Sequence, residues 1–367
     1  MTEQDTPLTQ TATHSSQTTS DTVLEIRNAE VTFGMDRGVS RVLDTVDLDV
    51  QRGEIIGVVG ESGSGKSMLA SSILDAVVDP GVLSGEITYY PDDGAPVDVL
   101  GLSERELKSL RWEDISMVFQ GAMSSFNPTM KVGKHFEETL VAHDYDVDTG
   151  MERARELLSD LYLEPERVLG SYPHELSGGM QQRALIALSL ILEPEVLVMD
   201  EPTAALDLLM QRSILSLLEN LQEKYDLTMV FITHDLPLVA ELADRIAVMY
   251  AFELIEIGQT EEILRHAAHP YTRSLLNATP NLDAPLEEMQ PIEGSAPDPV
   301  NVPEGCSYNP RCPIADETCV ADDPDFQSAS PDHEVACFHW EDAAEAVPFT
   351  SEEQHAEPKA STAEENR

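Results

Sequence analysis

The segment Gly60-Glu-Ser-Gly-Ser-Gly-Lys-Ser67 constrains the fold more than any other, because of what flanks it. IIGVV, a short β-branched run, precedes it, and SMLASSILDAV, with helical apolar spacing, follows. A buried strand, a glycine-rich turn and a helix in that order belong to an α/β fold with a parallel sheet. In that setting G-x-x-x-x-G-K-S cradles phosphate. Gly60, Gly63 and Gly65 let backbone N–H groups turn inward, Ser62 and Ser64 complete the loop, and the helix start adds positive potential. Lys66 is placed to reach the β- and γ-phosphates of a nucleotide, and the Ser67 hydroxyl to ligate Mg2+.

VLVMD, MVFIT and ISMVFQ read as further strands of the same sheet. Open α/β sheets bind ligands at the carboxyl ends of their strands. Asp200 and Glu201 end the first run; Asp200 suits the Mg2+ shell and Glu201 the polarising of an attacking water. His234, after MVFIT, is a candidate γ-phosphate contact, and Gln120, after ISMVF, a candidate ligand or sensor of metal and water. A second anion site is predicted at Ser177, Gly178 and Gly179, a hydroxyl and two glycines before the helical run MQQRALIALSLIL. A complete cradle and a separate anion-binding helix start make sense together if two such domains pair head to tail, each nucleotide lying between them.

GESGSGKS, Gln120, LSGGMQQR, VLVMDEPT, Ala205-Leu206-Asp207 and ITHD, in that order, resemble the motif set of an ABC-type ATPase domain, over about residues 23–265. The resemblance implies a parallel sheet core with an antiparallel β edge, begun by VLEIRNAEVTF, and a helical subdomain over about 121–183 that grips a membrane subunit. It implies that Ser177 and Gly179 contact the partner's γ-phosphate, that Asp207 acts across the dimer interface, that His234 is the switch histidine and that Phe33 stacks on adenine. As a core strand aromatic, Phe33 has an equally ordinary alternative role. ISMVFQ, SSFNP, YPHELSGGM, EPTAALD and HPYTRSLL further resemble the ATP-binding subunits of oligopeptide/dipeptide importers, which carry a C-terminal extension. Two departures stand out: Gly121-Ala122 replaces the family's Asp-Pro, and YAFELIE its Tyr-Ala-Gly.

All four cysteines, Cys306, Cys312, Cys319 and Cys337, fall in the last fifth of the chain, spaced C-x5-C-x6-C-x17-C. The close C-x2-C pairs usual for zinc are missing, but spacing alone leaves zinc and iron–sulfur open, with His333 and His339 as alternative ligands. The resemblance selects iron–sulfur: importer subunits of this kind carry a PRC-containing cysteine pattern, matched by Asn309-Pro310-Arg311-Cys312, and a 4Fe–4S cluster is expected.

Composition adds expectations of its own. Acidic residues outnumber basic ones 68 to 22, for a net charge of -46, and they are spread through every segment. Such self-repulsion is tolerable in molar salt, where screening shortens to about 3 Å. This reads as adaptation to a salty cytoplasm, and it disfavours a nucleic-acid partner. No secretory signal and no run of ~18 apolar residues is evident, so docking at the membrane goes through partners. Residues 1–22 and 341–367 read as disordered tails, and 266–340 as the cysteine-bearing extension. The resemblance implies an ATP-hydrolysing subunit for peptide import at the cytoplasmic face of the membrane. The resemblance also implies its partners: two transmembrane permeases and a second, paralogous ATPase, fed by an external solute-binding protein. Nickel or sugar import on the same architecture is the alternative. A DNA-repair ATPase would need coiled coils or zinc modules before LSGG, and an exporter would be fused to membrane helices.

Overall fold

The computed structural model describes residues 22–121, 125–204, 206–278 and 292–349. The head before Thr22, the tail beyond Phe349, and Ala122 and Ala205 lie outside the described residues.

β1 (Thr22–Met35) and β2 (Gly38–Gln51) form a long antiparallel hairpin. Leu24, Ile26 and Val31 on one strand and Leu43, Val46 and Leu48 on the other are buried, the alternation that a half-buried strand requires. β3 (Ile55–Val59) is buried at every residue and leads through the glycine-rich turn into α1 (Lys66–Ile73). β4 (Gly81–Tyr89) pairs with β1, and β5 (Val97–Asp98) with β4, giving a four-stranded antiparallel sheet, β2-β1-β4-β5. α2 (Glu104–Glu113) opens on a capping box between Ser103 and Glu106 and delivers the chain to β6 (Ile115–Val118).

A helical layer follows: α3 (Val132–Ala142), α4 (Val147–Asp160), α5 (Pro165–Gly170) and α6 (Gly178–Ser189). Phe136, Leu140, Leu157, Leu158 and Val168 close its interior. The chain then alternates strand and helix: β7 (Val196–Asp200), α7 (Leu208–Tyr225), β8 (Thr228–Ile232), α8 (Leu236–Ala240) and β9 (Arg245–Tyr250). The parallel core runs β9-β3-β8-β7-β6. Its strands are near-continuous apolar runs because both faces are covered, one by α6, α7 and α8 and the other by α1 and the antiparallel sheet. Gly57 on β3 makes room for α8: a Cβ there would meet the Val239 side chain at 2.3 Å.

β10 (Glu253–Gln259) returns antiparallel to β9, and α9 (Thr260–His266) and α10 (Pro270–Ala278) follow. The extension adds α11 (Glu317–Ala321), β11 (Gln327–Ser330), β12 (His333–Val335) and α12 (Ala343–Ala346). β12 pairs with β10 and β11 with β12, so the extension lengthens the ATPase sheet to eight strands. The expected boundary at 265 therefore falls inside α9. Fully buried Glu256 fastens the junction, accepting the N–H groups of Ala268 and His269 and pairing with His333 Nε2 at 2.8 Å.

The tail expected to be disordered from residue 341 instead stays packed through Phe349. Ala343 is buried, Arg273 Nε donates to the Val347 carbonyl at 2.5 Å, and Asn277 Nδ2 to that of Pro348 at 3.0 Å. The Arg273 guanidinium lies 3.9 Å from the centre of the Phe349 ring. The acidic composition pointed the other way because the groups that hold this segment lie some seventy residues upstream, on α10.

Candidate nucleotide-binding and catalytic site

The turn from β3 to α1 has little freedom. Gly60 has φ +153, and a Cβ there would lie 2.2 Å from the Met249 carbonyl oxygen of β9. Gly65 has φ +105, and its Cβ would lie 2.8 Å from the Val42 carbonyl of β2. No L side chain fits either position without moving a strand. Phe252 adds a further restraint: its N–H donates to the Ser64 carbonyl at 3.0 Å, and its own carbonyl accepts from Asp44 N–H at 2.9 Å. Phe252 has φ +79, a left-handed conformation that suits glycine, the residue that the family pattern has in its place.

Inside this turn the buried Lys66 ammonium donates to the carbonyls of Gly60 and Glu61, both at 2.8 Å, and to Ser64 Oγ at 3.3 Å. Burial lowers its pKa to about 8, against the opposing pull of Glu201, Asp200 and Glu61. Ser67 Oγ donates to Asp200 Oδ1 at 3.0 Å. Burial raises the Asp200 pKa, with the neighbouring Glu201 charge adding to the effect. A hydroxyl beside a desolvated carboxylate, at the phosphate end of the sheet, is an all-oxygen donor set. It fits Mg2+, whose remaining ligands are water and phosphate.

Three strand ends converge on Glu201. Gln120, beyond β6, donates Nε2–H to Glu201 Oε2 at 3.0 Å, and His234 Nδ1, beyond β8, lies 3.0 Å from Oε1. Glu201 itself has φ +46 and donates its N–H to the Ile232 carbonyl at 2.9 Å. A non-glycine residue pays about 1–2 kcal/mol for that conformation. Here two side chains and a neighbouring strand hold it, and strain of this kind gathers at functional sites.

Ser177 is the N-cap of α6, its Oγ accepting from Met180 N–H at 3.4 Å. Gln181 Nε2 pins the preceding loop from within, donating to the carbonyls of Pro173 at 2.7 Å and Leu176 at 3.1 Å. A Cβ on Gly179 would meet the Met210 methyl at 2.3 Å, so the LSGG turn sits directly on α7. Asp207 caps α7, accepting from Met210 N–H at 3.0 Å. Gly178 opens α6 beside Gly179. Phe33 is half-buried on β1, opposite Ser40 and Gly81, and its ring covers the position a Gly81 Cβ would take. Phe33 thus packs over Gly81, and its β2 partner Ser40 lies two residues from Val42, whose carbonyl approaches Gly65.

The extension gathers the four cysteines, all as free thiols. Cys306 N–H donates to the Cys319 carbonyl at 2.9 Å. Burial pushes the Cys306 and Cys337 thiols up to about 12, and the charges of their sister cysteines push the same way. Cys312 and Cys319 are raised too, mainly by burial. Four thiols that burial holds neutral suit a cationic centre that would bind them as thiolates. His339 stays near them: ligand atoms of Asp316, Cys319 and His339 lie within 4.8 Å of one another. His333, considered above as a ligand, instead gives its Nε2 to Glu256.

This set of groups on this sheet defines a nucleotide-hydrolysing ABC cassette. Residues 43–204 match the family model for the ABC transporter, and 255–319 that for the oligopeptide/dipeptide transporter C-terminal region. The chain is 39% identical to a dipeptide transport ATP-binding protein, DppD, of Caldanaerobacter subterraneus, over 87% of this chain and 98% of that protein. It is 38% identical to an oligopeptide transport ATP-binding protein, OppD, of Salmonella typhimurium, over 90% and 97%. Among solved structures, a bacterial ABC transporter cassette in dimeric form superposes with a TM-score of 0.56 at 30% identity, covering 65% of this chain and 98% of that one. The chain belongs to the ABC transporter ATP-binding proteins, in the branch that carries the oligopeptide/dipeptide C-terminal region.

Proposed function

We propose that this chain is the ATP-hydrolysing subunit of an importer of oligopeptides or dipeptides, docked on the cytoplasmic face of the membrane in a high-salt cell. The observation that carries the reading is the clamping of Glu201 between Gln120 and His234, beside the Ser67–Asp200 pair. ATP lies along the turn after β3, with Lys66 and the loop N–H groups on its β- and γ-phosphates and Phe33 against the adenine. Ser67 and Asp200, with Gln120, would hold Mg2+, which when bound would supply neutralisation of the charge on the β- and γ-phosphates. Glu201 orients the attacking water and takes its proton, while Gln120 and His234 fix the carboxylate. Ser177, Gly178 and Gly179 serve the nucleotide of a partner ATPase, and Asp207 acts across that interface. Exposed Leu208 and Leu209, next to Asp207, support a covered surface there. Exposed Phe119, Val141, Tyr145 and Tyr162, on or beside the helical layer, support docking to one of two permeases. The second ATPase is a paralogue, and an external binding protein delivers the solute. The match over 255–319 favours peptides over nickel or sugars.

Glu201→Gln is expected to keep ATP binding and lose about a hundredfold or more in turnover, the usual scale for a general base. Steady-state hydrolysis with a parallel binding titration checks this, and near-wild-type turnover contradicts it.

In the extension, Cys306, Cys312, Cys319 and Cys337 hold an iron–sulfur cluster of the 4Fe–4S type. The charges of Cys312 and Cys319 act on Cys306, and those of Cys306, Cys312 and Cys319 on Cys337, which supports one centre shared by all four. Anaerobically purified protein is expected to contain iron and acid-labile sulfide. A colourless sample loaded with zinc would refute the cluster.

A further inference from the structure

Glu61 follows the first glycine of the phosphate turn, and hydrolysis makes no use of its side chain. Residues from beyond position 249 nevertheless hold it tightly. Its N–H donates to Tyr271 Oη at 2.9 Å. Its carboxylate receives both arms of the Arg311 guanidinium, Nη1 to Oε2 at 2.8 Å and Nη2 to Oε1 at 3.1 Å. Arg311 also donates Nη1–H to Tyr250 Oη at 3.2 Å and Nε–H to the Glu293 carbonyl at 2.7 Å. Its side chain is 6% exposed and that of Glu61 25%. The rings of Tyr250, Tyr271 and Tyr308 pack around this pair with centroids 4.5 to 5.5 Å apart. Arg311 immediately precedes Cys312, so the cysteine loop bears directly on the phosphate turn.

The path from that loop to the nucleotide site is short. Arg311 fixes the Glu61 carboxylate, and the Glu61 carbonyl in turn accepts from the Lys66 ammonium at 2.8 Å. A bidentate guanidinium–carboxylate pair sets orientation as well as distance. Mostly out of water, it resists the screening that weakens surface pairs in concentrated salt. An ammonium cannot reproduce its fork. We propose that Arg311 is a positioning residue for ATP binding: by holding Glu61 it keeps the phosphate turn in the form that receives the β- and γ-phosphates. This rests on the ATPase reading above.

The test is equilibrium dialysis of full-length protein against a radiolabelled, non-hydrolysable ATP analogue with Mg2+ in high salt. Arg311→Met and Glu61→Gln are each expected to raise Kd about tenfold. The double variant is expected to rise about tenfold as well, because all three lose the same contact. Arg311→Met should show the loss in KM, with kcat at saturating ATP within about twofold of wild type. A purely structural role would lower the unfolding midpoint and leave the Kd of the folded protein unchanged. That result, or an approximately hundredfold rise in the double variant from independent effects, would overturn the proposal. Should Arg311→Met not fold, Arg311→Lys takes its place, with a rise of about threefold expected because charge survives without the fork. Wild-type protein that binds ATP no better than Lys66→Ala would overturn the ATPase reading itself.

Discussion

Lys66 shows how burial sets the working range of a single side chain. Its pKa is lowered to about 8 by desolvation, while bound phosphate would favour the charged form and raise it. Protons are therefore taken up on ATP binding at alkaline pH. Affinity for ATP should be flat below pH 8, then fall with rising pH by up to about tenfold per unit. A titration of Kd from pH 7 to 9.5 checks this, and a flat profile contradicts it. At this scale the motif residues were legible, because phosphate chemistry demands a particular residue order along one strand–turn–helix. Their supporting partners were not. Tyr271 and Arg311 hold Glu61 from 210 and 250 residues away, and separations of that size leave no local pattern. Gln181 was quoted only within a motif, yet its amide pins the loop that presents Ser177.

Among elements, the buried parallel strands were the easiest to read. IIGVV, VLVMD and MVFIT are apolar without a break because both faces are covered. β11 and β12 were invisible: QSAS and HEV are short and polar, and they are strands only because β10 offers an open edge. α12 was misread for a related reason. Ala and Glu favour a helix, but four residues are too few to show a periodic apolar face, and the segment is fixed by Arg273 and Asn277 of α10. Ending the chain at Asp342 should therefore cost about 2–4 kcal/mol relative to ending it at Phe349, since two buried donors lose their acceptors. Denaturant midpoints of the two truncations measure the difference, and coincident midpoints would return the segment to the tail.

For the whole molecule, the fold makes the ATPase sheet and the extension one continuous structure. The eight-stranded sheet crosses the boundary expected from composition, and the buried Glu256–His333 pair closes it. Composition changes near residue 280, but hydrogen bonding does not respect that change. No helix among the described residues is long and apolar enough to cross a membrane. On the proposed reading, work on a membrane solute depends on the exposed apolar residues of the helical layer and on a paired cassette. In the proposed high-salt setting, the net charge of -46 would reflect the solvent more than the chemistry. The central claim is that hydrolysis at Glu201 drives peptide entry. Its most direct test is uptake of a labelled dipeptide by high-salt cells that carry either the wild-type chain or Glu201→Gln as their sole copy. The account predicts that the variant loses peptide uptake while uptake of an unrelated solute is kept. Equal peptide uptake by the two strains would contradict it.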